Sequence, residues 1–160
     1  MLCREPYAAT HGAVPAPTTR GAMKPLHEQL FRLDDHLGRL MGKVAVHLQP
    51  IPGEVPVVQV SIGGRDELPI FITRSDTQIL CLCYLWSDDE VKPSRRNELA
   101  QTLLELNPSV PLSAFGRIGD RYVLTGALAI DAPVEAVAQD VAVLSDNALD
   151  ALDALSEFLE

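Results

Sequence analysis

The last thirty residues of this 160-residue chain contain no Lys or Arg, yet they hold eight carboxylates, among them Asp131, Glu135 and Asp140. That segment carries −8 of the net −9, and the other 130 residues are nearly balanced, 13 basic against 14 acidic. A basic stripe is also missing. The densest basic group, Lys92 with Arg95 and Arg96, reads as a solvated helix start, so no nucleic acid partner is expected. Long hydrophobic runs are absent too: the stretch Gln78 to Ser87 is about half the roughly 20 residues that a membrane-spanning helix needs, which argues against direct membrane insertion. The first 22 residues have no apolar block of signal-peptide length, which points to a cytoplasmic protein.

Cysteine is scarce and odd in number: Cys3, Cys81 and Cys83. Cys81 and Cys83 alternate around Leu82, so on a strand both thiols point to the same face, as buried reduced side chains. Neither they nor the scattered His27, His36 and His47 have metal-ligand spacing, and no metal or other cofactor is expected. Phosphate-loop, dinucleotide, zincin and nucleophile-elbow motifs are all absent. Hydrophobic residues at 47% and charged residues at 22% describe an ordinary soluble folded chain long enough for one domain.

Residues 1–22, rich in Ala, Pro, Thr and Gly, show no period and read as a flexible arm, leaving 23–160 as a single domain. Leu26, Leu30, Leu33, Leu37, Leu40 and Met41 recur at helical spacing, predicting one amphipathic helix that ends at Gly42. Three β-branched segments follow: Val44 to Leu48, Val55 to Ile62 and Leu68 to Thr73, the last two separated by a Gly63-Gly64 turn. The run Gln78 to Trp86 barely alternates, which predicts a central, well-buried strand. Ser94 can cap a helix whose apolar face is Leu99, Leu103, Leu104 and Leu106, stopped at Asn107-Pro108. Ser113 to Ile118 and Arg121 to Ile130 form a hairpin through Gly119-Asp120. A last helix begins at Asp131 or Pro133 with its stripe running from Val134 to Leu159, and Ser145-Asp146-Asn147 can kink or divide it. The order α-β-β-β(-β)-α-β-β-α, with hairpin-length links, is an α+β fold: a mostly antiparallel sheet of about five strands flanked by helices.

Asp146, Asp150, Asp153, Glu157 and Glu160 recur at steps of four, three, four and three, which stacks them along one face of a continuing helix. Like charges at that spacing repel, and a cationic partner would relieve the repulsion. These five are the candidate partner-binding residues. The alternative is a small-ligand or enzymatic pocket near Arg65, Asp66, Ser113 and Arg117, where turn residues and polar groups could converge. No catalytic constellation is legible in the spacing of His36 or His47, and Asp88, Asp89 and Glu90 read as solvated loop charges.

Several segments in one order, GRDELPIFIT, SDTQILCLCYLW, VPLSAFG and RYVLTGALA, resemble the bacterial YjfI-type family, a domain of unknown function, over roughly residues 26 to 156. The resemblance implies a small cytosolic protein often encoded beside a phage-shock-protein A type membrane-stress protein, which becomes the first candidate partner. The element order with LLELN before a strand pair is also similar to class I type III secretion chaperones and YbjN-type proteins. Members of that wider group bind proteins without a cofactor, and many are acidic dimers. The expectation is therefore a non-enzymatic, chaperone-like adaptor that forms a homodimer and engages a protein through its sheet or its acidic last helix.

Overall fold

The β-branched runs pair as hairpins because their connections are too short for crossover helices. In the computed structural model, which describes residues 24–160, they form β1 (Val46–Ile51), β2 (Val57–Ile62), β3 (Ile70–Arg74), β4 (Gln78–Ser87), β5 (Ala114–Ile118) and β6 (Arg121–Ala129). All pairs are antiparallel and the spatial order is β1-β2-β3-β4-β6-β5. The expected α+β class holds, with six strands. The arm over 1–22 lies outside the described residues. Pro50 sits inside β1, further along than the expected end at Leu48, and is tolerated because β1 is an edge strand.

The single N-terminal helix is instead two, α1 (Leu26–Gln29) and α2 (Leu33–Leu40), separated at Arg32, whose φ of 66° is left-handed. Leu26, Leu30, Leu33 and Leu37 all remain buried, so the break preserves the apolar stripe that the period revealed while turning Phe31 outward, 73% exposed. Ser94 does not cap α3 (Arg96–Leu106); Pro93 opens a 3₁₀ turn through Arg95, and α3 continues from that turn with no side-chain cap. The last helix, α4 (Val134–Ala154), runs without division through Ser145-Asp146-Asn147. Tertiary hydrogen bonds use those polar groups: Ser145 accepts from Arg65, and Asn147 donates to the Pro111 carbonyl and to Ser113.

Helices cover one face of the sheet. There Val58, Val60 and Ile62 of β2, Ile70 and Ile72 of β3, and Ile79, Cys81 and Cys83 of β4 are buried against Leu33, Leu37, Val137, Val141 and Leu144. Each fully buried aliphatic side chain contributes about 1.5–3 kcal/mol by leaving water. Cys81 and Cys83 share this face, as their spacing predicted, and both are fully buried. No helix among the described residues is long and apolar enough to cross a membrane.

Among the described residues, no helix packs on the opposite face. Cross-strand partners place Gln49, Gln59, Phe71, Leu82, Thr125 and Ala114 in one row from edge to edge. A flanking row holds His47, Ser61, Tyr84, Val123 and Gly116, and Phe71 meets Tyr84 edge to face with centroids 5.8 Å apart. The apolar continuity of Gln78 to Trp86 follows from this arrangement: Leu80, Leu82 and Tyr84 of the central strand stand on this second face, where Leu82 is buried and Leu80 and Tyr84 are partly buried.

Candidate partner-docking surfaces

The predicted acidic stack is broken by the end of its helix. Leu155 caps α4 with its N–H on the Ala151 carbonyl, Ser156 bonds back to the Asp153 carbonyl, and Ser156–Phe158 forms a 3₁₀ turn. Leu159 then bridges to Val91, and the Glu160 N–H reaches the Glu90 carbonyl at 2.9 Å. Glu157 and Glu160 therefore leave the helix that the spacing assumed. Two of the five carboxylates are paired: Asp146 with Arg65 at 2.7 Å and Glu157 with Arg95 at 2.8 Å. Arg95 also holds Glu98 at 2.7 Å and lies 4.0 Å from the centre of the Phe158 ring. Hydrogen bonds to Glu98 and Glu157 hold the guanidinium charged well above its usual range, and the same Arg95 contact lowers the Glu98 pKa. Asp150 and Asp153 lie exposed on the last turns of α4.

The alternative pocket does not assemble. Arg65 reaches Ser145 and Asp146, Ser113 bonds to Asn147, and Arg117 lies across the hairpin against Asp88 at 3.3 Å and over the Tyr122 ring. Asp66 is exposed in its turn. Arg65, Ser113 and Arg117 thus have separate partners and do not converge on one site.

A cluster the sequence did not announce ties α3 to the β5–β6 hairpin. Asp88 is half-buried, takes Arg117 and Arg96 at 3.3 and 3.6 Å, and accepts from the Tyr122 hydroxyl at 3.4 Å. Burial is the main reason the Tyr122 pKa rises. Asp89 and Glu90, by contrast, are exposed, and hydrogen bonds from Ser87 lower both carboxyls. His36 faces Glu135 at 3.6 Å, and His47 lies on the open face.

Two apolar grooves meet at Phe115 on the β5 edge. One, of about 240 Å³, runs between α3 and the hairpin, lined by Ala100, Leu103, Leu104, Asn107, Phe115, Gly116, Arg117 and Tyr122. Its wall includes Leu104, 72% exposed. The other, of about 200 Å³, passes between the α3–β5 connection and α4, where Leu106, Val110, Pro111 and Leu155 surround Phe115 and Asp150 stands at the rim. At their junction Asn107 closes the strand edge: its Oδ1 accepts the Phe115 N–H at 2.6 Å and its amide donates to the Phe115 carbonyl at 3.4 Å. A docking chain at this edge therefore meets side chains rather than a free ladder rung at Phe115.

Beneath α4 lies one buried carboxyl. Asp140 is 5% exposed, its Oδ2 has no hydrogen-bond partner among the described residues, and it faces the Cys81 thiol of β4 and the backbone of Gly126 in β6. Burial raises the Asp140 pKa, partly offset by the Cys81 hydrogen bond; burial, with the nearby carboxyl, raises that of Cys81 well above the usual thiol value. The sequence carried a signal for this pair. Asp140 falls on the apolar stripe Val137, Val141, Leu144, and a lone Gly inside a strand marks a close approach.

Among solved structures, the chain is similar to the one described as "Crystal Structure of the ExsC-ExsE Complex", with a TM-score of 0.44 and 14% identity over 81% of this chain and 96% of that one. No curated protein shows a significant sequence match to it. A bacterial family profile, described as "Uncharacterized protein conserved in bacteria (DUF2170)", matches residues 26–159, which spans every element from α1 to the final bridge, and the chain belongs to that family.

Proposed function

We propose that this protein is a non-enzymatic protein-binding adaptor that receives an apolar segment of a partner along the two grooves meeting at Phe115. The observation that carries the reading is the pairing of an exposed Leu104 with apolar grooves at a sheet edge, bounded by Arg117 at one end and Asp150 at the other. That charge pattern fits a segment with apolar side chains between a carboxylate and a cation. Isolated exposed leucines are ordinary, but one beside a concave apolar surface of this size supplies an anchor site.

The YjfI-type resemblance makes a phage-shock-protein A type protein the first partner to test. Titration calorimetry of the full chain with such a purified protein should give binding that Leu104→Asp weakens at least about tenfold. Asp150→Asn should weaken it less and flatten its salt dependence. Wild-type binding unaffected by Leu104→Asp, in a variant that circular dichroism shows to be folded, would remove the groove from the reading. No binding at all would remove that partner.

A further inference from the structure

The two edges of the sheet are finished differently. At β5 the outward rung of Phe115 is closed by Asn107. At β1 the Gly63 N–H donates to the Ala45 carbonyl, which sets the alternation of the ladder. His47, Gln49 and Ile51 turn their backbone groups toward β2, and Val46, Leu48 and Pro50 turn theirs away from the sheet. Among the described residues nothing bonds those outward groups, so two N–H groups and three carbonyls stand open, Pro50 having no N–H to offer. Beside this edge a groove of about 500 Å³ runs between α1, α2 and β1. Leu30 and Val58 form its floor, Leu48 and Pro50 lie along the strand, and Phe31 and Asp34 stand on the helical wall. Phe31 reaches the groove because Arg32 holds a left-handed backbone, which a non-glycine residue adopts at a cost and which gathers at ligand clamps.

We propose that β1 receives an extended segment of a partner protein as an added strand, with alternate side chains entering this groove and a Lys or Arg among them meeting Asp34. The open edge selects the backbone of the occupant. Outward N–H and C=O groups at every second residue are matched by another strand and not by a helix, whose own groups are used internally. The charge of the groove selects the side chain: Asp35 is taken by Arg32 at 3.0 Å, whereas Asp34 is exposed with no partner among the described residues. Pro50 disfavours a second copy as the occupant, since a two-fold pair of β1 strands meets the missing donor twice and an unlike segment meets it once. The site is separate from the groove at Phe115, because the five strand spacings between β1 and β5, about 4.8 Å each, put the two edges roughly 24 Å apart.

The probe is a capped hexapeptide of sequence VTVTKT, which in extended form places both valines and the lysine on one face. Titrated into the isotope-labelled full chain and followed by NMR, it should shift the amides of β1 and Phe31. At saturation it should slow hydrogen exchange at Val46 and Leu48 at least about tenfold. Methylating the valine nitrogens of the peptide, which would donate to β1, should weaken binding at least about tenfold. Methylating its threonine nitrogens, which would face away, should change binding less than about twofold. Asp34→Asn should weaken binding about threefold and flatten its salt dependence, and Leu104→Asp should leave it unchanged. Protection of the Val46 and Leu48 amides in the free chain overturns the proposal, because the edge would already be covered. So does binding that tolerates methylation at the valines, a set of shifts centred on Phe115, or no binding at about 1 mM peptide.

Discussion

The Asp140 carboxyl occupies the space into which a side chain at Gly126 would project. Helix α4 and strand β6 approach closely there because residue 126 has no Cβ, and an added one would meet the carboxyl carbon and both oxygens. Gly126→Ala should therefore cost about 1–3 kcal/mol in urea unfolding, as overpacking in a core does. In an Asp140→Ala background the same change should cost at least about 1 kcal/mol less, because the clashing group is gone. Equal costs in the two backgrounds would mean that the strand, not the carboxyl, dictates glycine.

Asp140 also makes stability depend on pH in the less usual direction for a carboxyl. Burial raises its folded pKa above the unfolded value, so the folded state binds more protons than the unfolded one between the two. Stability from this group is fully present below the unfolded pKa of about 3.9 and is lost as pH rises through the raised folded value. Asp140→Asn cannot ionise. The stability difference between Asp140→Asn and wild type should grow in favour of the variant from acidic to neutral pH, measured by urea unfolding across that range. A difference independent of pH would show that the carboxyl ionises alike in both states.

The strands were legible because their β-branched runs end at turn residues, and the last hairpin because Gly119-Asp120 separates two such runs. The break at Arg32 was not, since the leucine period is the same whether the helix is continuous or interrupted by a left-handed residue. The acidic row failed for a related reason: the period of Asp146 to Glu160 presumes a helix, whereas the chain leaves α4 at the Leu155 cap and is held away from its axis by the bridge of Leu159 to Val91. Arg65 and Arg95 are distant in sequence from the carboxylates they pair with, so neutralisation of that surface depends on the tertiary fold. Leu104 belonged to the predicted apolar face of α3 but lies outside; the helix turns Leu99 and Leu103 inward, and Leu104 becomes part of a groove wall.

The two strand thiols should be chemically quiet. Burial pushes Cys83 up to about 11 and Cys81 up as well, with Asp140 adding to the latter. The thiolate is the reactive form, so both depressed ionisation and lack of access slow modification. In a Cys3→Ser variant, a thiol reagent at pH 8 should label neither residue on the timescale of an unfolded control, and denaturant should release both. Rapid labelling of the native protein would show that β4 is accessible.

Asn107 replaces a neighbouring strand at the β5 edge, where its amide accepts from and donates to the backbone of Phe115. Asn107→Ala removes both contacts and leaves that rung to water. The net loss should be about 1–2 kcal/mol in urea unfolding, the size of one or two partly buried hydrogen bonds. A second effect follows from geometry: an unpaired rung on an edge strand can recruit another strand. The variant should therefore form larger assemblies at high concentration, seen by light scattering and prevented by placing Lys at Ile118. If the variant loses stability without associating, Asn107 acts only as a tie between α3 and β5; if it associates, the amide also protects the edge.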